Sequence, residues 1–294
     1  MTRVACIGEA MIELSIQDTS AQVGVAGDTL NTAIYLKRSA PALDVDYVTC
    51  LGDDPFSGRI RSFIADAGIG CDAVRVIPGK SPGLYAITTA VSGERSFTYW
   101  RSASAARDLF QTETGTDFSL LSDFDWLYLS GISIAILPHR VRLALLDWLK
   151  GSSLRLAFDS NYRPRLWESP DVARGVTQAF WERADLTLPS IDDEQALFDQ
   201  TEAQVIARFR AMGTPGALKR GAAGPISLGK KVEQAYPPAP RVVDTTAAGD
   251  SFNGGYLAAV LSGKSQAEAL AAGHNLAARV VQHRGAILPE AVMS

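Results

Sequence analysis

Strand-like and helix-like segments alternate through most of this chain, and that alternation constrains its fold more than any other feature. Short runs rich in β-branched and apolar residues predict strands at Val4–Gly8, Val45–Leu51, Trp126–Ser130, Leu154–Asp159, Leu186–Leu188 and Gly216–Lys219. Helices are predicted at Thr29–Ser39, Phe56–Ala67, Pro138–Lys150, Ala173–Arg183, Asp192–Asp199, Glu202–Met212, Asp250–Leu261 and Gln266–Gln282. A chain that returns through a helix after each strand builds a mostly parallel central sheet with covering helices, an α/β fold. One stretch breaks the rhythm. Leu84–Val91 and Arg95–Trp100 flank Ser92-Gly93-Glu94, a hairpin signature, and Met11–Ile16 is a further extended segment. Together these pieces predict a small separate β-sheet, a lid over a cleft built from segments 11–25 and 83–101. The plainer alternative is a hairpin that merely extends the main sheet. The expectation is one domain over residues 1–294.

Composition narrows the function. The chain has 294 residues, 47% of them hydrophobic, enough for a large core. A net charge of −4 supplies no basic field for nucleic acid. A small anionic ligand must therefore be met by local Arg or Lys side chains. No apolar stretch reaches the roughly 20 residues that span a membrane. Acids interrupt Arg3-Val4-Ala5-Cys6-Ile7-Gly8-Glu9 at once, so it reads as a first strand and not a signal peptide. Cys6, Cys50 and Cys71 lack metal-ligand spacing and read as buried free thiols, the usage of a cytoplasmic protein. His139, His274 and His283 are scattered and read as surface or helix residues.

Chemistry concentrates in Asp244-Thr245-Thr246-Ala247-Ala248-Gly249-Asp250, a tight turn of small residues before an apolar helical stretch. The first N–H groups of such a helix point at one spot, and with the positive end of the dipole they seat an anion. Asp250 stands at the rim, where a carboxylate takes a proton from an attacking hydroxyl. An anion cradle beside a base is what phosphoryl transfer to an alcohol requires. The plainer reading is a helix capped by an Asp. Other motifs fall away. Gly79-Lys80-Ser81 and Gly263-Lys264-Ser265 lack the earlier glycine of a P-loop, which is Val74 and Ala258 here. Gly68-Ile69-Gly70-Cys71-Asp72-Ala73 lies after a helix and before a strand, the reverse of a dinucleotide fingerprint.

The Asp244–Asp250 run resembles the C-terminal signature of the PfkB, or ribokinase-like, carbohydrate kinases, Asp-Thr-x-Gly-Ala-Gly-Asp. Ala247 departs from it, standing where most members have Gly; the change is mild at negative φ and costly at positive φ. The resemblance runs from Ile7-Gly8-Glu9-Ala10-Met11-Ile12-Glu13-Leu14 to Arg284-Gly285-Ala286-Ile287. It is closest to the branch that phosphorylates 2-keto-3-deoxygluconate, through Gly83-Leu84-Tyr85, Phe97-Thr98-Tyr99-Trp100-Arg101 and Asn161-Tyr162-Arg163-Pro164-Arg165-Leu166-Trp167. It implies a three-layer α/β/α fold with a lid, ATP and Mg²⁺ as partners in the reaction, and admits a monovalent cation.

The same resemblance implies roles for residues. Asp250 is the general base, and the N–H groups of Ala247, Ala248 and Gly249 hold the transferring phosphoryl group. Gly27, Asp28 and Asn31 meet the sugar at a helix entrance, with Ala26 replacing the first of the family's two glycines. Asn161, Ser190, Lys219, Gly221, Gly224 and Asn275 lie on the nucleotide side. Ser190-Ile191-Asp192-Asp193-Glu194 aligns with an Asn-x-x-Glu motif, which leaves Asp193 and Glu194 both open as the acid that organises the Mg²⁺ water shell. Tyr85, Tyr99 and Arg101 alternate on one side of the lid, so two phenols and a cation, with Arg163, suit a sugar acid. The alternative is that Tyr85 and Tyr99 simply pack across strands and Arg101 is a solvated edge charge. A neutral-sugar kinase and a non-catalytic sugar sensor are the competing functions. Lids of this type pair between subunits, which implies a homo-oligomer.

Overall fold

The computed structural model describes residues 2–17, 19–89 and 95–292. The chain opens with β1 (Arg3–Ile7), β2 (Met11–Gln17), β3 (Ser20–Ala26), α1 (Asp28–Ser39), β4 (Asp44–Leu51), α2 (Pro55–Asp66) and β5 (Val74–Val76). Next come β6 (Gly83–Thr89), β7 (Arg95–Trp100), the two-residue strands β8 (Gln111–Thr112) and β9 (Gly115–Thr116), β10 (Trp126–Ser130), α3 (Gly131–Ile136) and α4 (His139–Lys150). The remainder runs β11 (Arg155–Asp159), α5 (Pro170–Arg183), β12 (Leu186–Leu188), α6 (Ile191–Phe198), α7 (Glu202–Met212), β13 (Gly216–Leu218), β14 (Ile226–Leu228), α8 (Ala248–Leu261) and α9 (Gln266–Val280).

Among the described residues the main sheet has the order β14-β13-β12-β11-β10-β1-β4-β5. Only β14 pairs antiparallel. Side chains of successive residues leave a strand on opposite faces. Leu127 and Leu129 of β10 therefore join Phe158, Phe180 and Trp181 in one core, while Tyr128 joins Leu30, Ile34, Phe252 and Tyr256 in the other. Helices α4 to α7 seal the first face, and α1, α2, α8 and α9 the second. This is a three-layer α/β/α architecture. The strand order runs one way from β1 to β4 and the other way from β1 to β10, so a crevice opens at the carboxyl ends of β1 and β10.

The lid is a separate sheet in the order β3-β2-β6-β7, so the hairpin does not extend the main sheet. Strand β2 runs parallel to β6, and the other pairs are antiparallel. The intervening turn, Ser92-Gly93-Glu94, lies outside the described residues. Met11, Ala26, Tyr85 and Ile87 form the lid's own small core, whereas Phe97, Tyr99 and Trp100 are exposed.

Several boundaries differ from expectation for identifiable reasons. Helix α8 starts at Ala248, before Asp250, because Ala247 caps it in the left-handed conformation. Helix α3 begins straight after β10 because Ser130 and Ser133 form a reciprocal capping box. Its apolar run, Gly131–Ile136, shows no amphipathic period to announce it. Strand β3 is half polar and gains its place by pairing with β2 along its length. Cys6 and Cys50 are buried free thiols, but Cys71 is only half-buried. His274, expected at the surface or on a helix, lies on α9 and is buried.

Candidate active site

Four elements converge at the crevice. The entrance of α1 supplies Asp28 and Asn31, and Gly27 caps that helix with extended backbone. A Cβ on Gly27 would lie 2.4 Å from the carbonyl oxygen of Glu9, so only glycine lets these strands of chain close up. The end of β10 supplies Ser130, whose hydroxyl donates to Asp28 Oδ2 at 2.5 Å. The turn after β11 supplies Asn161, whose Nδ2 donates to the same oxygen at 2.7 Å. Asn161 holds φ at 26°, a left-handed value that a side-chain amide tolerates better than most. The start of α8 supplies Asp250, which accepts from Asn31 Nδ2 at 2.8 Å. Asn31 is buried and bonded, not the solvated first-turn residue of the plainer reading.

The cradle takes its shape from the turn before α8. Asp244 Oδ1 accepts from the N–H and hydroxyl of Thr246, at 3.0 and 2.6 Å. Asp244 Oδ2 accepts from Gly285 N–H at 3.1 Å, pinning the turn to the C-terminal segment. Ala247 then adopts φ 59° and ψ 18° and offers no side-chain cap, which sets aside a helix capped by an Asp. The N–H of Ala248 is spent inside the turn on Thr245 O, at 3.2 Å. Among the described residues no protein acceptor faces the N–H groups of Ala247 and Gly249. Those two remain as donors for an anion, a narrower cradle than the three consecutive donors expected.

Lys219 Nζ stands beside them. It donates to Asp159 Oδ1 at 2.6 Å and to Asn253 Oδ1 at 3.0 Å, and is the nearest atom, 4.0 Å away, to where a Cβ on Gly249 would sit. Asn253 in turn donates to Tyr128 and Asp159 at 2.9 Å each. Burial pushes the Asp250 carboxyl up to about 8, and the neighbouring Asp28 charge adds to it. Burial also raises Asp28. A carboxylate whose proton is shared out near neutral pH, next to an electropositive helix start, is equipped for proton transfer coupled to anion chemistry.

Residues 1–292 match the model of the pfkB family carbohydrate kinases. The chain belongs to this family. It is 41% identical to the 2-dehydro-3-deoxygluconokinase of Dickeya dadantii, covering 97% of this chain and 96% of the relative. Identity to the enzyme of the same name from Escherichia coli is 40%, over 99% and 98% of the two chains. Among solved structures, a PfkB protein from Polaromonas sp. JS666 superposes with a TM-score of 0.81 at 26% identity, covering 96% of each chain.

The remaining expected residues of this PfkB chain fall into three groups. On one flank of the cradle, Gly221 and Gly224 hold φ at 54° and 76° and close the turn after β13, with Tyr236 packed on Gly224. Ser190 bridges to Lys219 backbone-to-backbone. Asn275 does not join them. It is exposed on α9 and lines an open surface cavity with Arg38 and Lys264, while its neighbour His274 turns inward to Pro237 O at 2.7 Å and to the Tyr236 ring. The two acids also part company. Glu194 is fully buried, bonded to Arg208 and to Trp181 Nε1, and serves the core. Asp193 faces the crevice, accepting from Ser160 Oγ at 3.0 Å and lying 3.5 Å from Arg163, and burial raises its carboxyl. Among the described residues no group of three or more His, Cys, Asp or Glu gathers around one point. A single carboxylate acting through water suits Mg²⁺, which keeps several waters.

At the lid, Tyr85 and Tyr99 are register partners whose rings stack at 5.5 Å, so they do pack across strands. The Tyr85 hydroxyl bonds Glu13. Arg101 is no solvated edge charge: it is nearly buried and paired with Glu9. Ser130, Asp159, Asn253 and Glu9 carry roles that sequence reasoning did not assign. The first two had a readable signal, since each ends a central parallel strand.

Proposed function

We propose that this PfkB kinase transfers the γ-phosphoryl group of ATP to the C6 hydroxyl of 2-keto-3-deoxy-D-gluconate, giving 2-keto-3-deoxy-6-phosphogluconate. The observation that carries the reading is the Asp250 carboxylate, held by Asn31 at the N-terminus of α8 beside Lys219. The sugar acid lies between α1 and the lid, where Gly27, Asp28 and Asn31 meet its hydroxyls. Its carboxylate lies toward Arg101 and Arg163. Asp250 takes the proton of the attacking hydroxyl, and Asn31 fixes which carboxylate oxygen faces it. The N–H groups of Ala247 and Gly249, with Lys219, stabilise charge on the phosphoryl group in flight. Gly221 and Gly224 offer a Cβ-free surface to the nucleotide, with Ser190 beside Lys219. Asp193 would hold Mg²⁺ through water, and the ion would supply charge neutralisation between the phosphates. The identity to two enzymes named 2-dehydro-3-deoxygluconokinase supports the choice of substrate.

The test is ATP- and Mg²⁺-dependent phosphorylation of 2-keto-3-deoxygluconate measured beside fructose, ribose and 2-keto-3-deoxygalactonate. The expected result is a strong preference for the deoxy keto acids. Preference for a neutral sugar would sink the carboxylate clamp, and no turnover with any of them would favour a sensing role.

A further inference from the structure

Three buried polar atoms lack a hydrogen-bond partner at one place, the root of the lid: Glu9 Oε1, Arg101 Nε and Ser104 Oγ. Glu9 sits in the link between β1 and β2, and Arg101 just after β7, so the pair ties the main sheet's first strand to the lid's last one. Their side chains are 1% and 11% exposed, and Arg101 Nη2 donates to Glu9 Oε2. Space for the Glu9 carboxylate is made by glycine. A Cβ on Gly83 would stand 2.6 Å from Glu9 Oε1 and 3.2 Å from Arg101 Cβ. Leaving one partner of a buried ion pair alone is strongly unfavourable, so the pair has little freedom to part.

We propose that Glu9 is a positioning residue for substrate specificity: it holds Arg101 through Nη2 and leaves Nη1 to meet the carboxylate of a sugar acid. This rests on the function proposed above. The guanidinium is a planar fork with two usable edges, and a carboxylate matches one edge bidentately. Nη2 is committed to Glu9, and among the described residues no protein acceptor is bonded to Nη1. An arginine on an unsupported lid strand would sample many rotamers and lose affinity in ordering. Glu9 removes that loss before the substrate arrives.

Two variants separate placement from charge. Glu9→Gln keeps the length and an acceptor oxygen for Arg101 but loses the charge. Glu9→Asp keeps the charge but withdraws the carboxylate by one methylene. Steady-state kinetics of both, with thermal melting as a control, are expected to show a KM for 2-keto-3-deoxygluconate within about threefold of wild type for the Gln variant. For the Asp variant that KM rises by about fivefold or more, with kcat and the KM for ATP within about twofold. The reverse ranking, or no change in either variant, overturns the inference. So does a loss shared by every kinetic parameter and the melting temperature, which marks a purely structural pair. A wild-type enzyme inert toward the acid is a separate failure, seen before any variant is made. It removes the function reading and this inference with it.

Discussion

The proposed mechanism asks Asp250 to be a base, and its surroundings resist its charge. Its carboxyl is raised to about 8, whereas in an unfolded chain it returns to about 4. The folded state therefore holds the proton more tightly, and stability falls as pH rises from about 4 through about 8. Asp250→Asn removes that penalty while keeping an oxygen to accept from Asn31. Its melting temperature is expected to exceed that of wild type by a few degrees at pH 8 and by less at pH 5, measured by differential scanning calorimetry. Turnover of the same variant is expected to drop by about 10²- to 10⁴-fold. In wild type, kcat/KM gains activity as pH rises toward 8, because only the ionised form accepts a proton. Asp28 and Asp250 titrate as a pair, so the acid limb reports a shared value. A variant that turns over at the wild-type rate would remove Asp250 from the mechanism.

Helix α8 shows how much an element can reveal in sequence and what it conceals. Its apolar run and the tight turn of small residues before it were legible. The left-handed cap was not, because alanine carries no mark of positive φ. At φ 59° an alanine costs about 1 kcal/mol more than a glycine. Ala247→Gly is therefore expected to stabilise the protein by about that amount in chemical denaturation, with turnover little changed. Helix α9 conceals something else. Two neighbouring residues differ by about 100° around a helix, so sequence alone did not decide whether His274 or Asn275 turns toward the Tyr236–Pro237 segment. Likewise Asp193 and Glu194 are equal as letters. Only the packing of Arg208 and Trp181 shows that one belongs to the core. The helix Glu202–Met212, by contrast, was read to the residue, since Thr201 and Gln204 form a capping box at its start.

At the scale of the molecule, the alternation of strands and helices sufficed for the layered body, and the hairpin for a distinct lid. The site was harder, because it is assembled at the ends of β10 and β11 and the starts of α1 and α8, segments up to 219 positions apart in the chain. The lid also leaves apolar side chains uncovered, Phe97 and Tyr99 on one face of β7 and Trp100 on the other: they are 42%, 48% and 59% exposed. Such a surface favours pairing with a second copy through the lid. Light scattering is expected to give a dimer, and Phe97→Ser with Trp100→Ser to shift it toward monomer. A wild-type monomer at micromolar concentration would refute that assembly.

The ladder of the lid has a mechanical corollary. Ala26, Met11 and Gly83 stand side by side across it, with Leu84 opposite Trp100 one step along, so all four strands are rooted in one line. A plate attached along a line turns about that line as an axle. Its far rim, where Gln17 meets Ser20, sweeps the widest arc. Glu9 and Arg101 lie beside that line, two residues before Met11 and one after Trp100. Were the lid to turn about that line, the proposed grip of Arg101 on a sugar acid would be the same with the plate raised or lowered, and a molecule would be recognised before it is enclosed.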